Sequence, residues 1–298
     1  MGAKKEVSRI DRRVKRWMAK WVISETPREL YLEDPTEGLK DYINDMESSD
    51  ALGVHSEHLA TWHLAMYEQM ALNSIHEFSE LSLASTYYGY MLKFESAFVT
   101  GGSNSPIVPS TAALALSLAA IANWPVEFKA RFDIILNGLD TALLDLKHRQ
   151  SGKLFHHFWF ILQLYAKSVN RKIDVFQYAR PETPSPYEQV LEQWDTPDQS
   201  LLDALVSQMA DFHLFNAATP MHDEIFEFDY EDRMLFPYEV LTLLRTREWH
   251  SLKNPTAFEH PLMQHPLSKL PLQLTEPETT LLDEVVRKFN LEQFHISS

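Results

Sequence analysis

The sequence predicts an all-α protein: stacked antiparallel helical hairpins, arranged as a bundle or a short solenoid-like array, with proline-rich extended segments near the C-terminus. Three observations carry this. Apolar residues recur at helical spacing along most of the chain. Strand-type alternation is confined to FEFDY at 226–230, which predicts one short extended segment. Consecutive helical patterns are joined by short polar connections, as in antiparallel neighbours. No fixed-period repeat is present.

The elements follow in order. Residues 9–23 form an amphipathic pattern in which Ile10, Val14, Trp17, Met18 and Trp21 oppose a Lys/Arg face, and Thr26-Pro27 is expected to end it. A short helix is expected over 35–46. From Ser56 the pattern runs through Leu59, Trp62, Leu64, Met66 and Met70 towards Leu83, with a break expected near Asn73. A second apolar helix over 86–99 halts at Gly101-Gly102. GGSNSPIVPS reads as a loop, with Ser110 the candidate N-cap of a helix over 111–122. The run AALALSLAAIANW is too short to span a bilayer and reads as a buried helix. Residues 125–150 start with Pro at a first-turn position, although Gly138 weakens an unbroken helix. Residues 153–170 are strongly apolar and aromatic and are expected at the centre. YARPETPSPYEQ (178–189) is a linker candidate, 200–214 and 237–249 read as helices, and a proline-punctuated tail precedes a final amphipathic helix at 279–291. The organisation expected is a basic helix at 1–24, a helical half at 25–178 and an acidic helical half at 179–298, packed as one unit.

Composition narrows the function classes. The 298 residues include no cysteine, which removes disulfides, thiolate nucleophiles, iron–sulfur clusters and the common structural zinc sites. Only eight glycines occur, and neither GxGxxG nor GxxxxGK[ST] is present, so phosphate-cradling loops are unsupported. The net charge of −15 is uneven: residues 1–20 carry +6, residues 21–180 carry −7 and residues 181–298 carry −14. Such a body repels nucleic acid and attracts basic proteins, although acidity also serves plain solubility. No secretory signal is legible, so a cytoplasmic location without a membrane span is expected. The basic first helix can touch a membrane surface or complement the acidic body by packing; packing is the expectation.

Catalytic signals are weak. His55, His58 and His63 recur at near-helical intervals, and His76 and Glu80 are i, i+4. Glu-x-x-His and His-Glu-x-x-His motifs are absent. The doublet His156-His157 points to different helix faces and is not expected to chelate. No Gly-x-Ser-x-Gly elbow occurs. No catalytic residue, metal ligand or cofactor is therefore assigned.

The densest signal is HDEIFEFDYEDRMLFPYEVLTLLRTREW, residues 222–249. Asp223, Glu224, Glu227, Asp229, Glu231 and Asp232 precede the first cation, Arg233, with Ile225, Phe226, Phe228 and Tyr230 threaded among them. The alternation Glu227-x-Asp229-x-Glu231 lacks the glycine of an EF-hand calcium loop. Two readings remain. Asp223, Glu224, Glu227, Phe228, Asp229, Tyr230, Glu231 and Asp232 are the candidate partner-binding residues, forming an acidic, aromatic-studded surface for a basic protein. Alternatively the run caps the helix at Pro237, with Phe226 and Phe228 turned into the core. Arg245 and Arg247 are expected to salt-bridge and pack, with Glu248 within reach of Arg245.

The C-terminal half also resembles a bacterial immunity-protein family, the helical group catalogued as immunity protein forty-nine, from polymorphic-toxin and type VI secretion loci. The resemblance rests on Trp194-Asp195, Asp211-Phe212-His213, Phe226-Glu227-Phe228, Phe236-Pro237 with Glu239, Arg245 to Trp249, and His260-Pro261-Leu262, with a weaker match at 97–102. It covers roughly the last 100–110 residues well. The basic first helix departs from the acidic pattern expected there. The resemblance implies a non-catalytic inhibitor of a cognate toxin effector with a basic cleft, such as a nuclease. Its oligomeric state is unassigned. A non-catalytic helical scaffold for a basic partner is the alternative, and a metal-dependent helical-bundle enzyme is a third reading.

Overall fold

A computed structural model of the chain describes residues 2–98, 107–144, 146, 154–217, 226–228 and 230–297. It is all-α, with no strand among the described residues. Helix α1 is Gly2–Ile23, α2 Glu25–Arg28, α3 Asp34–Ile43, α4 Leu52–Leu72, α5 Ser79–Phe98, α6 Pro109–Ile121 and α7 Pro125–Gly138. The second half contributes α8 His156–Ser168, α9 Tyr187–Gln193, α10 Gln199–Asn216, α11 Tyr238–Trp249 and α12 Thr280–Ser297.

Packing follows from where apolar residues surround a helix and where they line one face. Every residue of α6 is buried, as apolar residues on all its faces, broken only by the small Ser110, Thr111 and Ser117, require. It lies against α5, α7, α8 and α11. Helix α11 is buried from Tyr238 to Arg247 although it carries Glu239, Arg245 and Arg247, so its charges need partners inside the protein. The long helices α4 and α5 pack on each other as a hairpin. On α1 the stripe Val7, Ile10, Val14 and Met18 is buried, with most of its Lys and Arg turned outward. The apolar face of this helix is therefore used in packing. One hydrophobic core runs from Val7 to Phe289.

The helix ends show how a glycine-poor chain stops a helix. After α4, Ser74 adopts φ 63°, its N–H bonds to Ala71 O, and Ile75 N–H reaches back to Met70 O at 2.8 Å. That double closure is the Schellman arrangement, in which the left-handed position usually holds glycine. Asp45, Asn123, Asn170 and Ser251 take the same role after α3, α6, α8 and α11. The break expected near Asn73 is present for this reason.

Several boundaries differ from the sequence-based expectation. Val108, not Ser110, stands at the N-cap of α6, and Ser110 is buried where its Oγ accepts a hydrogen bond from Arg233 (3.3 Å). Helix α7 ends at Gly138 because the chain doubles back there: a Cβ on Gly138 would stand 2.4 Å from Leu143 Cδ2. Residues 145 and 147–150 of that expected helix, and Gly101-Gly102, lie outside the described residues. Thr26-Pro27 falls inside α2, where Pro27 occupies the first turn and its missing N–H costs no bond. The 178–189 linker is irregular to Pro186 and then enters α9, whose Tyr187 is buried. FEFDY is not extended: Glu227 and Phe228 lie in a turn. The tail between α11 and α12 follows an irregular course, held by Leu274 N–H to Ala122 O (3.0 Å) and by buried Leu262 and Leu267.

Candidate functional site

The structure divides the acidic run between the interior and the exterior. Asp223, Glu224 and Asp229 lie outside the described residues. Glu227, Phe228 and Asp232 are buried, so these three are not partner-binding surface and the expectation is corrected for them. Glu231 is half-buried and ion-pairs with Arg13 of α1 at 2.7 Å, and Tyr230 is 58% exposed. The reason lies in what the buried groups find inside.

Glu227 finds the start of α8. Its Oε1 meets His156 Nδ1 at 2.5 Å, and its Oε2 takes His157 Nδ1 at 2.6 Å and the His157 backbone N–H at 3.0 Å. His156 and His157 open the helix, so their rings can converge on one carboxylate, contrary to the divergence expected from mid-helix geometry. The carboxylate also satisfies an orphan N–H at the positive end of the helix. Burial raises the Glu227 pKa, but the hydrogen bonds from the two rings outweigh it and hold the carboxyl at about 2. His156 Nε2 lies 3.0 Å from Thr183 O, a pure acceptor, so it donates there while Nδ1 donates to Glu227. The ring is thereby an imidazolium. Burial lowers its pKa, and the bonds to Glu227 and Thr183 carry it above the ordinary imidazole value.

Around this hub the aromatic residues of the run pack inward. Phe228 stacks on His213, with ring centroids 3.9 Å apart, and lies 4.7 Å from His157. His157 Nε2 meets Tyr238 Oη at 3.0 Å. His213 Nε2 donates to Arg233 O (3.1 Å), and Nδ1 faces Glu239 Oε1 at 3.0 Å. Tyr238, His157 and Glu227 form a hydrogen-bonded relay of the kind that can activate a nucleophile. Its members are 0 to 4% exposed, which closes it to a substrate. These groups build the interior.

A second buried cluster surrounds Arg233. Its guanidinium lies 3.9 Å from Asp232, bonds Ser110 and sits over the Tyr230 ring at 4.8 Å. Glu68 beside it is buried with neither carboxyl oxygen hydrogen-bonded. Burial, and then the charge of Asp232, push Glu68 well above the usual carboxylate range. Burial also raises Glu57, with Arg233 opposing. One cation thus serves several carboxyls, and Glu68 is the one held protonated.

The other motif residues also act within the fold. Arg247 grips Trp194 O, Thr196 O (3.0 Å), Lys253 O (2.8 Å) and Asn254 Oδ1 (3.0 Å). Arg245 binds Ala120 O (3.1 Å), Pro271 O and Glu248. These carbonyls end α6 and fix the C-terminal tail. His260 pairs with Asp211 at 3.2 Å. Of the other histidines, His55 meets Glu47, His63 meets Glu80 at 2.7 Å, and His76 meets Lys269 rather than Glu80. Among the described residues no three His, Asp or Glu side chains converge as a metal-binding group.

Burial of the arginines changes the exterior. Of seven Lys and Arg in residues 181–298, Arg233, Arg245 and Arg247 are inside and, among the described residues, Lys253, Lys269 and Arg287 are exposed against twelve exposed carboxylates. On α10, Ala204, Gln208, Asp211 and Phe215 face solvent at helical spacing, with Phe215 74% exposed. The Phe228 N–H bonds to Asn216 O (3.1 Å), so Phe215 and Tyr230 each lie within two residues of one hydrogen bond. Asp211, Phe215, Tyr230 and Glu231 therefore mark an acidic, aromatic area at the C-terminal end of α10. Sequence reading did not single out Phe215; its place opposite the buried Leu205, Met209 and Ala210 stripe was the available signal.

No protein family, no curated protein and no solved structure matches this chain.

Proposed function

We propose that the protein is a cytoplasmic immunity protein that binds and neutralises a cognate bacterial toxin, without catalysis of its own. The observation that carries this reading is the charge separation made by folding: three arginines of the C-terminal half go inside and, among its described residues, the exterior keeps twelve carboxylates against three cations. Such a surface speeds encounter with a basic cleft and repels nucleic acid. Phe215 and Tyr230 provide exposed aromatic anchors beside the acids, the composition from which interface hot spots are built. A toxin that handles nucleic acid needs a cationic cleft, and carboxylates arrayed on this surface can occupy it in place of phosphates.

The test is gel filtration and titration of the purified protein with the product of the adjacent gene. A one-to-one complex whose association slows steeply with added salt is the expected result. Absence of a complex at low salt removes the reading. A complex that leaves toxin activity intact selects the scaffold alternative.

A further inference from the structure

A pocket of about 160 Å³ lies between α5, α7 and the start of α12, away from the acidic area at α10. Arg131 lines it, with Lys93 and Glu127 beside it and Glu276 and Asp283 exposed at its mouth. Arg131 is 1% exposed. Its Nη1 donates to Ala115 O (2.7 Å) and Ser85 Oγ (3.2 Å), while Nε has no hydrogen-bond partner. Among the described residues no carboxylate pairs with the guanidinium: Glu127 instead pairs with Lys93 at 3.4 Å, and Lys93 also sits over the Tyr90 ring at 4.5 Å. A glycine makes room for this arrangement. A Cβ on Gly89 would stand 2.6 Å from Arg131 Nη2, so the guanidinium lies flat against the α5 backbone only because residue 89 has no side chain.

An arginine in that position is costly without an acceptor for its remaining donors. Burial pushes it down to about 10, with Glu127 pulling the other way. The mouth has the opposite sign: Glu127, Asp283 and Glu276 all act on the Tyr90 hydroxyl. A buried cation and an anionic rim are complementary to a ligand whose two ends carry opposite charges.

We propose that this pocket binds a small zwitterion, a free amino acid or ω-amino acid, with its carboxylate on Arg131 and its ammonium between Glu276 and Asp283. The hydroxyls of Thr86 and Thr279 line the same space and can accept from the ammonium or donate to the carboxylate. The site is independent of toxin binding.

Isothermal titration of the full chain with glycine, β-alanine, γ-aminobutyrate and ε-aminocaproate tests it, with butyrate and butylamine as single-charge controls. At least one zwitterion is expected to saturate with a Kd at or below about 1 mM, and each control to bind at least ~10-fold more weakly. Arg131 also ties α5, α6 and α7 together, so Arg131→Lys is read beside Glu276→Gln/Asp283→Asn, which leaves that tie intact. The double variant is expected to weaken the zwitterion ~10-fold and leave butyrate unchanged. No saturable binding to about 10 mM overturns the proposal. So does equal affinity for butyrate and γ-aminobutyrate, or a double variant that binds as the parent does.

Discussion

Glu227 closes the N-terminus of α8 from 70 residues away, its Oε2 taking both the ring Nδ1 and the backbone N–H of His157. The residue at the centre of the acidic run is thus a structural anchor. Phe228, the next residue, is buried beside it against the His157 and His213 rings.

Removing this anchor is expected to be costly. Glu227→Gln leaves the His156 imidazolium facing an amide and should destabilise the fold by about 3–5 kcal/mol, as breaking a buried pair does. Glu231→Gln, at the partly exposed contact with Arg13, should cost at most about 1 kcal/mol. Urea unfolding of the two variants checks the contrast. Similar losses would place both carboxylates in equivalent surroundings.

The same pair sets a pH window. Glu227 is lowered in the fold, so its contribution is present above the unfolded carboxyl value of 4.5 and is lost as pH falls towards about 2. His156 is raised, so its contribution is complete below the unfolded value of 6.5 and is lost as pH rises through the folded value. Unfolding free energy measured against pH should show His156→Gln losing more stability at pH 5.5 than at pH 9, values chosen on about one pH unit or more either side of the ordinary imidazole range. A loss independent of pH would remove the imidazolium from the hub.

Glu68 works in the other direction. It is protonated in the fold and ionises freely when unfolded, so its raised pKa makes the fold progressively less stable as pH rises above 4.5. Glu68→Gln removes that proton linkage and Glu68→Leu also removes the unsatisfied oxygens. Both variants should gain stability over the parent as pH rises from 5 to 8, by at least about 1 kcal/mol. Denaturant titrations at the two pH values check this. A gain that does not grow with pH would show that Glu68 is not held protonated.

The left-handed helix ends yield a stabilising change. Ser74 has φ 63°, a conformation that costs an L-residue about 1 kcal/mol, and glycine adopts it freely. After the added entropy of the unfolded chain, Ser74→Gly should still stabilise by about 0.5 kcal/mol. Thermal melts of parent and variant provide the comparison.

The fold was largely legible in the sequence, and the site only in part. The apolar run of α6 and the aromatic segment of α8 placed both in the interior, whereas the burial of α11 was not read, and the polar interruption at Asn73 marked the end of α4. The stop of α7 was missed because a Gly inside a helical pattern does not reveal that Leu143 folds back over it. Ser110 looked like a cap because Ser favours that position, whereas its hydroxyl serves Arg233 from far along the chain. Charges in the acidic run looked alike in sequence. Separating Glu227 and Asp232 from Glu231 required their partners: His156 and His157 lie some 70 residues upstream, and no local pattern links them. The families of residues on which the resemblance rests, Glu227, His213, Glu239, Arg245 and Arg247, turn out to be buried polar anchors.

The most direct measurement is survival of a host expressing the adjacent gene's toxic product together with this protein or its Phe215→Ala/Tyr230→Ala variant. The parent is expected to protect. The variant should bind at least ~30-fold more weakly and protect poorly, since each anchor carries hot-spot energy; its urea unfolding is measured beside the parent's, because the Tyr230 ring also covers the Arg233 guanidinium. Killing despite soluble expression of the parent contradicts the immunity reading. Full protection by the variant, with unchanged affinity, contradicts the placement of the interface at the end of α10.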